Sequence, residues 1–423
     1  MKTVGIIAEF NPFHNGHEYI IRQARRLADA DFCVVVMSGD FVQRGEPAIC
    51  DKYTRTKAAI LSGADAVFEI PSAFCCGSAE QFAFGSIWLL SSLGCIDEIW
   101  FGSEYPDLEM MMKIAQVFVE EPAEYRDLLS IKLKEGLNFP SARQAALTDY
   151  LQNDGSDIHD PSLLSFILNG GLSSPNNILG IEYCKSIIRL SRSGIQCPSL
   201  KTLQRIGSKY ESAQPDTPTD ASASAIRRMF SDKGDEALSD IRPYVPESTY
   251  DLIFETCGRS MPIFADDLSS VLFAKLQQIR HDRQTSDDLG ISADLFNSIL
   301  NNSEEPVSFT ELAEAVKSRN NTLTSIYRAL LSLMLDLGRI EIPALPDSYP
   351  YARLLGFRRN SSELIKAVNA HASCEVINKL ADAKTDSPLL ACDIRAARLY
   401  NQIVYQKYGT RLTDEYRKTV EIF

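Results

Sequence analysis

The sequence predicts an α/β protein in which a doubly wound parallel sheet is followed by a helical C-terminal region. Up to about residue 110, apolar runs typical of buried strands alternate with segments of helical spacing, joined by short connections. Beyond about residue 250, the spacing of apolar residues is helical throughout. These two patterns favour an α/β domain followed along the chain by a separate helical domain.

The first four strands and the helices between them follow in order. Strands are predicted over 4–8, 32–37, 66–71 and 98–102, and helices over 17–29, 51–62 and 79–93. The run 32–37 is continuously apolar, which is typical of a strand buried on both faces. His14, Gly39, Pro71 and Gly102 follow or end these strands, and ligands of such folds bind at the carboxyl ends of strands.

The rest of the chain is mainly helical. Helical patterns dominate 110–200, with loops at 155–160 and 170–175, a returning strand at 199–206, a polar loop at 208–220, and clear helices at 325–337 and 386–408. We therefore divide the chain into residues 1–250, with a mainly helical insertion at about 110–200, and a helical domain at 251–423.

Composition bounds the class of protein. At 423 residues, two or three domains are expected, and shares of 45% hydrophobic and 23% charged residues are ordinary for a soluble protein. We find no apolar run of membrane-span length and no signal-peptide pattern. Ten scattered cysteines without a C-x-x-C pattern indicate reduced thiols. We expect a cytoplasmic protein without a membrane partner, and no protein partner is implied.

The net charge of −13 is unfavourable for binding nucleic acid, because phosphates need local lysine or arginine residues. Total charge does not decide the question, since a contiguous basic patch on an acidic protein still binds RNA.

The most informative pattern is His14-x-Gly16-His17, directly after the first strand and the break at Asn11-Pro12. The two histidines share one face if a helix begins there, and Gly16 lets a phosphate or flat ring approach the backbone. The helix start adds N–H groups and partial positive charge, which favour an anion. The pattern resembles the HIGH signature of the nucleotidyltransferase superfamily, whose members activate a group by transferring AMP from ATP.

The histidine pair has two other interpretations. The histidines could be ordinary surface residues beside a turn, although the preceding strand and the Phe-Asn-Pro-Phe lead-in favour the signature. They could also bind a metal ion, but the chain has five histidines, and no cysteine or carboxylate lies at ligand spacing around the pair. We therefore predict no metal ligands in the chain.

A second candidate segment combines small hydroxyl residues with an arginine at a predicted helix start. Ser222 is suited to cap the helix, Ser224 to hold phosphate oxygens, and Arg227 to pair with a phosphate. A plain capped helix is the alternative. Many HIGH-type adenylyltransferases have a similar Ser-Ser-x-x-Ile-Arg segment, although this chain has alanine at position 223.

A third segment, residues 37–47, is a polar loop with two glycines after the second strand. The loop could receive the acyl group or the nucleophile, or it could be only a long connection. Lys52, Arg55 and Lys57 follow at helical spacing, and they suit either a solvated helix face or a contact with phosphate or RNA.

Three further residues are candidates for contacting the nucleotide. Gly102 at a strand end lets an adenine or ribose lie against the backbone. Asn177 is suited to cap a helix or to bind the adenine or ribose. Arg205 emerges at the end of the predicted late strand, from where it reaches a phosphate.

An ordered set of segments closely resembles the bacterial tRNA(Met) cytidine acetate ligase family over nearly the full length. The segments are Phe10-Asn11-Pro12-Phe13-His14-Asn15-Gly16-His17, Met37-Ser38-Gly39, Gln43-Arg44-Gly45-Glu46-Pro47, Phe101-Gly102-Ser103-Glu104, Pro175-Asn176-Asn177-Ile178-Leu179-Gly180 and Tyr351-Ala352-Arg353-Leu354-Leu355-Gly356-Phe357. The resemblance implies an ATP-dependent ligase with a HIGH-type fold. Such an enzyme forms acetyl-adenylate from acetate and ATP, then transfers acetyl to the wobble cytidine of elongator tRNA(Met), giving N4-acetylcytidine.

The resemblance also implies an ATP site. One of its contacts is assigned to Asn177, with Asn176 as the alternative. Its residues are Ile7, Ala8, Glu9, Phe10, Asn11, Pro12, Phe13, His14, Asn15, Gly16, His17, Glu18, Tyr19, Ile20, Gly102, Asn177 and Arg205, together with Ser222, Ser224 and Arg227. Within it, we expect His14 and His17 to be catalytic and to hold the α-phosphate region, and Arg205 and Arg227 to hold the departing pyrophosphate. Mg²⁺ is expected to accompany ATP.

The residues that bind tRNA are less well specified. Two basic clusters are candidates: Lys275, Arg280 and Arg283, and Arg353, Arg358 and Arg359 with Tyr351 and Phe357 between them. Basic residues beside aromatic ones suit a single-stranded anticodon loop. Charged helix surface and core aromatics are the alternative interpretation for both clusters.

Two other functions remain open from the sequence. An adenylyltransferase acting on a small phosphorylated cofactor precursor would use only the first domain and leave the C-terminal part unexplained. A non-catalytic, adenylate-responsive RNA-binding protein is the second alternative, and the intact histidine pair and the Ser/Arg segment argue against it.

Overall fold

A computed structural model describes residues 1–152, 161–205, 221–305, 307–319, 321–340, 342, 345 and 348–423. The predicted loops at 155–160 and 208–220 and the last residue of the predicted strand 199–206 lie outside the described residues.

The described residues form one sheet of eight strands. They are β1 Thr3–Ala8, β2 Phe32–Ser38, β3 Ala66–Ile70, β4 Glu98–Ser103, β5 Ser199–Gln204, β6 Ala352–Phe357, β7 Val376–Ile377 and β8 Glu421–Ile422. Their order is β5-β4-β1-β2-β3-β6-β7, with β8 also paired to β6. The first five strands are mutually parallel, which confirms the predicted parallel sheet.

Helices fill the connections and most of the C-terminal region. They are α1 Asn15–Ala28, α2 Lys52–Leu61, α3 Ser72–Cys75, α4 Ala79–Ser92, α5 Leu108–Glu120, α6 Ala123–Lys134, α7 Phe139–Gln152, α8 Pro161–Phe166, α9 Pro175–Arg192, α10 Ala223–Lys233, α11 Ala237–Ile241, α12 Glu247–Thr256, α13 Ser269–His281, α14 Ser286–Leu289, α15 Ala293–Asn301, α16 Phe309–Val316, α17 Leu323–Leu335, α18 Ser362–His371 and α19 Pro388–Tyr408. The predicted helices and strands of the first 110 residues are all present, with ends shifted by at most two residues.

Strand β2 shows why the sheet is doubly wound. Its central residues are fully buried, and successive side chains point to opposite faces of a strand. Val34 and Val36 pack in one hydrophobic core, whereas Cys33 and Val35 pack in another. Helices therefore cover both faces of the sheet, which is what its continuously apolar sequence predicted.

The C-terminal region contributes three strands, β6 to β8, that the sequence analysis missed. Strand β6 pairs antiparallel with β3, with Val67 opposite Gly356 and Glu69 opposite Arg353. All of its residues except Phe357 are buried. Two short strands of the region, β7 and β8, pair in turn with β6. The rest of the described region is mainly helical, as expected, but these three strands extend the parallel sheet. The domain boundary near residue 250 stays a prediction.

A buried ion cluster lies where β3, β6 and α2 meet. The Lys52 ammonium lies 2.8 Å from a Glu69 carboxylate oxygen and 3.1 Å from one of Glu415. Arg353 pairs with the same two carboxylates. Burial opposes the charge of Lys52, but the two carboxylates outweigh it and raise the pKa of this ammonium. The cluster ties the last residues of the chain to the sheet.

Two of the three basic residues predicted on the helix 51–62 are therefore neither solvated nor free for RNA. Lys52 and Arg55 are each 1% exposed. Arg55 donates to the backbone carbonyl oxygens of Glu9, Ser38 and Gly39. This arginine links the ends of β1 and β2, so its role is in shaping the loops there. Sequence spacing alone gives no sign of such burial.

No helix of the part of the chain that the structure describes is both long and apolar enough to cross a membrane.

Replacing the buried ammonium is expected to cost stability. In Lys52→Met, Glu69 and Glu415 keep only Arg353 as a cationic partner, and an uncompensated buried charge costs about 3–5 kcal/mol. Urea unfolding at neutral pH measures the free energy of unfolding. Lys384→Met, which changes an exposed lysine, is the matched control and should behave as wild type. A Lys52→Met protein as stable as this control would show that the cluster is not needed for stability.

Candidate active site

Two histidines form the N-terminal cap of α1. The backbone N–H of Gly16 donates to Nδ1 of His14 at 3.1 Å, and the backbone N–H of His14 donates to Nδ1 of His17 at 3.2 Å. The two imidazole rings stack with their centroids 3.7 Å apart. Each histidine side chain thus accepts a hydrogen bond from a backbone N–H at the start of the helix, in the reciprocal arrangement of a capping box. The sequence predicted a helix start here, but not that the histidines themselves form the cap.

These hydrogen bonds fix where the imidazole protons lie. A backbone N–H can only donate, so both Nδ1 atoms are acceptors, and a neutral ring then carries its proton on Nε2. Burial, helped by the nearby Arg205 guanidinium, lowers the pKa of His14 to about 3. Burial, His14 and Arg205 also lower the pKa of His17 well below its usual value. Both rings are neutral at physiological pH and present Nε2–H as a hydrogen-bond donor.

The histidines line a cavity of about 150 Å³ at the carboxyl edge of the parallel strands. It is lined by Ile6, Ile7, Ala8, Glu9, Phe10, Asn11, His14, His17, Ile20, Gln43, Arg44, Phe82, Trp100, Phe101, Gly102, Asn176, Leu179, Tyr183, Arg205, Ser222, Ala223, Ser224 and Arg227. Apolar and aromatic residues form much of the wall, and several cationic or hydroxyl groups converge on it. This combination suits a nucleotide, which has a flat base and charged phosphates.

Gly102 leaves room in this wall. A Cβ atom there would lie 3.0 Å from both Cγ of Arg205 and Cδ1 of Ile20. Any larger residue would push Arg205 or Ile20 out of position, so the predicted close approach at Gly102 has a structural basis.

Arg205, directly after β5, and Asn176 and Asn177, in the first turn of α9, are held in place by hydrogen bonds. Nη1 of Arg205 donates to Oδ1 of Asn176 at 3.1 Å, and Nδ2 of Asn176 donates to a carboxylate oxygen of Glu104 at 2.6 Å. Asn177 is fully buried, and its Oδ1 accepts from the Ser103 hydroxyl and two backbone amides. Asn176 therefore faces the cavity, whereas the expected ATP contact by Asn177 is disfavoured because its amide is used inside the fold.

The late Ser/Arg segment reaches the same cavity. The Ser222 hydroxyl accepts from the Ala225 backbone N–H at 3.1 Å, so Ser222 caps α10 as predicted. Arg227 donates to the Asn11 carbonyl oxygen at 2.7 Å and lies 3.8 Å from a Glu46 carboxylate oxygen. Residues more than 200 positions apart in the chain thus meet at one site.

Glu9 and Asn11 are cavity residues to which the sequence gave no separate role. Burial raises the pKa of Glu9, although the Gln43 backbone N–H and nearby arginines oppose this. Asn11 is 2% exposed, and its Oδ1 accepts from the Ile49 backbone N–H. Its Nδ2 is buried and donates to no acceptor among the described residues. A buried, unsatisfied donor is costly, so this amide is suited to bind an oxygen of a ligand.

Most of the predicted site residues line the cavity or a recess beside it, and the others lie elsewhere. The cavity brings together the histidines, Gly102, Arg205, the Ser/Arg segment and most of residues 7–20. Gly16 and Tyr19 line a small adjoining recess. The remaining predicted ATP contacts lie away from both spaces: Pro12, Phe13, Asn15, Glu18 and Asn177. Asn15 and Glu18 contact the Pro243 carbonyl and Arg22 instead.

The six predicted tRNA contacts are not equally placed. Arg353 is 4% exposed and lies in the buried ion cluster, so its burial argues against RNA contact. Arg358 donates to the Ile60 carbonyl oxygen at the end of α2. Lys275 pairs with Asp336, and Arg280 donates to backbone oxygens of Leu300 and Ser303. Arg283 and Arg359 are exposed.

The fold and the histidine cap at the strand edge together define a class of protein, the HIGH-type nucleotidyl transferases. In agreement, the chain matches the HIGH Nucleotidyl Transferase family over residues 1–415.

Comparison with individual relatives identifies the family within this class of transferases. The tRNA(Met) cytidine acetate ligase of Clostridium perfringens is 36% identical over 404 residues, which are 95% of each chain. The ligase of the same name from Clostridium acetobutylicum is 36% identical over 423 residues, or 99% of this chain and 100% of the relative. The crystal structure of Thermotoga maritima TmcAL bound with alpha-thio ATP has a TM-score of 0.84 at 26% identity, with 100% of both chains covered. The chain belongs to the tRNA(Met) cytidine acetate ligase family.

The depressed histidine pKa values make stability depend on pH. Below pH 6.5, the ordinary pKa of histidine, His14 binds a proton in the unfolded state, whereas in the folded state it stays unprotonated down to about pH 3. The neutral His14 therefore stabilises the folded state above pH 6.5, and this contribution to the free energy of unfolding is lost as the pH falls toward 3. From about pH 7.5 to about pH 5, we expect wild type to lose about 2 kcal/mol more than His14→Asn, whose side chain also caps a helix.

Urea unfolding at the two pH values checks this expectation. His281→Asn replaces an exposed histidine and should keep the wild-type pH dependence. Equal losses in wild type and His14→Asn would contradict a buried neutral His14.

Proposed function

We propose that this protein is an ATP-dependent ligase that activates acetate as acetyl-adenylate and transfers the acetyl group to the wobble cytidine of elongator tRNA(Met). The product is N4-acetylcytidine. The observation that carries the proposal is the stacked histidine pair, which lines the cavity at the carboxyl edge of the parallel strands and whose neutral rings carry their N–H donors on Nε2. Family membership over nearly the whole chain supplies the substrate class.

The first step is an attack of an acetate oxygen on the α-phosphorus of ATP, with pyrophosphate as the leaving group. No covalent enzyme intermediate is needed, so positioning and charge stabilisation carry catalysis. Neutral Nε2–H groups of His14 and His17 donate to the α-phosphate oxygens as negative charge develops. Arg205 and Arg227 hold the β- and γ-phosphates that depart. The buried Nδ2 of Asn11 is a further donor for a substrate oxygen.

In the second step, the exocyclic nitrogen of the cytidine bonds to the acetyl carbonyl carbon, and the bond from that carbon to the phosphate oxygen breaks. AMP leaves, and the nitrogen loses a proton. We assign proton acceptance to Glu9, which is the one carboxylate among the described residues that line the cavity. Burial raises its pKa, which makes it a stronger base than an exposed glutamate.

Mg²⁺ is proposed only as a companion of the ATP phosphates. Among the described residues, no cluster of three histidine, cysteine or acidic side chains could hold a metal ion. Oxygen ligands from ATP itself would hold Mg²⁺, which commonly keeps substrate phosphates in its shell. No step of the mechanism above depends on the ion.

The tRNA is proposed to lie against residues 251–423, where Arg283 and Arg359 are exposed. All ten cysteines are free thiols, which fits a reducing compartment, so we propose the cytoplasm as the place of the reaction.

The proposal is tested by incubating the protein with ATP, labelled acetate and total tRNA. We expect AMP to form and label to appear in N4-acetylcytidine after digestion to nucleosides. A requirement for a phosphorylated small acceptor would instead indicate the adenylyltransferase alternative. Binding of RNA with no turnover of ATP under any of these conditions would indicate the non-catalytic alternative.

His14→Ala is expected to reduce acetate-dependent ATP–pyrophosphate exchange by on the order of 10²–10³-fold, because a preorganised donor to the α-phosphate is lost. His281→Ala removes an exposed histidine and should exchange at the wild-type rate. Circular dichroism establishes that both variants are folded. Wild-type exchange by a folded His14→Ala protein would exclude His14 from the mechanism.

A further inference from the structure

A second cavity lies beside the nucleotide cavity. Its volume is about 490 Å³, and it is lined by residues of the segment 73–81, of 290–295, of α17 and of the segment after α17. Gln43 lines the nucleotide cavity, and its Nε2 lies 3.5 Å from the carbonyl oxygen of Gly77, a residue of the second cavity. The two spaces are therefore neighbours across Gln43.

The loop after β2 also packs directly on α17. A Cβ atom at Gly45 would lie only 2.4 Å from the backbone nitrogen of Arg328. Gln43 and Arg44 of the same loop line the nucleotide cavity. Arg328 therefore lies on the helix that packs against this loop, residues 37–47, beside the second cavity.

Arg328 is the one charged residue among the described residues that line this second cavity. Its side chain is partly buried, and no hydrogen bond or ion pair joins its guanidinium to the part of the chain that the structure describes. Burial lowers its pKa, with no charged group contributing to the shift. In a chain of net charge −13, a desolvated cation without a carboxylate partner is costly, and a bound anion would compensate that cost.

The rest of the wall fits more than a simple anion. Ser292 is the N-cap of α15, but its side chain makes no capping hydrogen bond, and Ser332 lies on the same wall. Ile291, Leu295 and Ile340 supply apolar surface. A guanidinium, hydroxyl groups and apolar side chains are together what a phosphate, a ribose and a base require.

We propose that the second cavity binds a nucleotide of the RNA substrate next to the cytidine that is acetylated, with its phosphodiester on Arg328. The inference rests on the proposed function. Loop nucleotides of RNA can be splayed from the stack and bound individually, and adjacent nucleotides fit adjacent cavities. Arginine binds phosphate oxygens through two parallel N–H donors, so a single residue suffices to orient the backbone.

The test separates the two reaction steps in Arg328→Gln, Arg328→Lys and the control Arg319→Gln, which changes an exposed arginine of the same region. For Arg328→Gln, we expect the KM for elongator tRNA(Met) transcript to rise about tenfold or more. The slope of log affinity for this tRNA against log salt concentration should also fall in magnitude by about 1. Acetate-dependent ATP–pyrophosphate exchange should remain at the wild-type rate, and Arg328→Lys should recover the salt slope.

Each other outcome overturns the inference. An unchanged KM and salt slope for tRNA in a folded Arg328→Gln protein would exclude a phosphodiester contact. A raised KM for pyrophosphate with unchanged tRNA affinity would assign the site to the departing pyrophosphate. An equal loss in Arg319→Gln would show a general effect of charge. Absence of acetate-dependent exchange in wild type would instead contradict the proposed function, so the two failures are distinguishable.

Discussion

The site depends on two hydrogen bonds at the start of α1, in which backbone amides of Gly16 and His14 donate to the Nδ1 atoms of His14 and His17. These bonds cap the helix, and they also dictate that a neutral ring carries its proton on Nε2. Burial keeps the rings neutral by lowering their pKa values. The same contacts that begin the helix thus preorganise two N–H donors, which the proposed mechanism assigns to the α-phosphate.

Around this pair, buried charges fix the loops that complete the cavity. Arg55 joins the ends of β1 and β2 through backbone carbonyls, and Lys52 and Arg353 hold Glu69 and Glu415 in the interior. Because Glu415 and β8 come from the end of the chain, the C-terminal region is fastened to the sheet. Helix α17 of the same region packs against the loop 37–47, and the second cavity lies beside this contact.

Much of the fold was predictable because its signals are local. Mainly apolar runs marked β1 to β4, and the turn with two histidines marked the start of α1 and the expected position of the site. Strand β6 was missed because Arg353 and Gly356 interrupt its short apolar run, and its basic and aromatic residues suited either an RNA contact or a charged helix surface with core aromatics. A buried arginine and an exposed one look alike in a sequence. The carboxylates that pair with Arg353 belong to Glu69 and Glu415, which are both distant from it along the chain. Likewise, nothing local tells that Asn176 faces the cavity while Asn177 is used inside the fold.

The most direct measurement of the central claim is the protonation state of the two histidines, by ¹H–¹⁵N correlation NMR of protein labelled at histidine. His14→Asn and a corresponding variant of His17 assign the signals. His14 is predicted to be neutral from about pH 5 to about pH 8, and His17 to be neutral near neutral pH. Both rings should carry the proton on Nε2 with Nδ1 unprotonated, and an ATP analogue should shift the Nε2–H signals. Protonated rings near neutral pH, or neutral rings with the proton on Nδ1, would contradict the account.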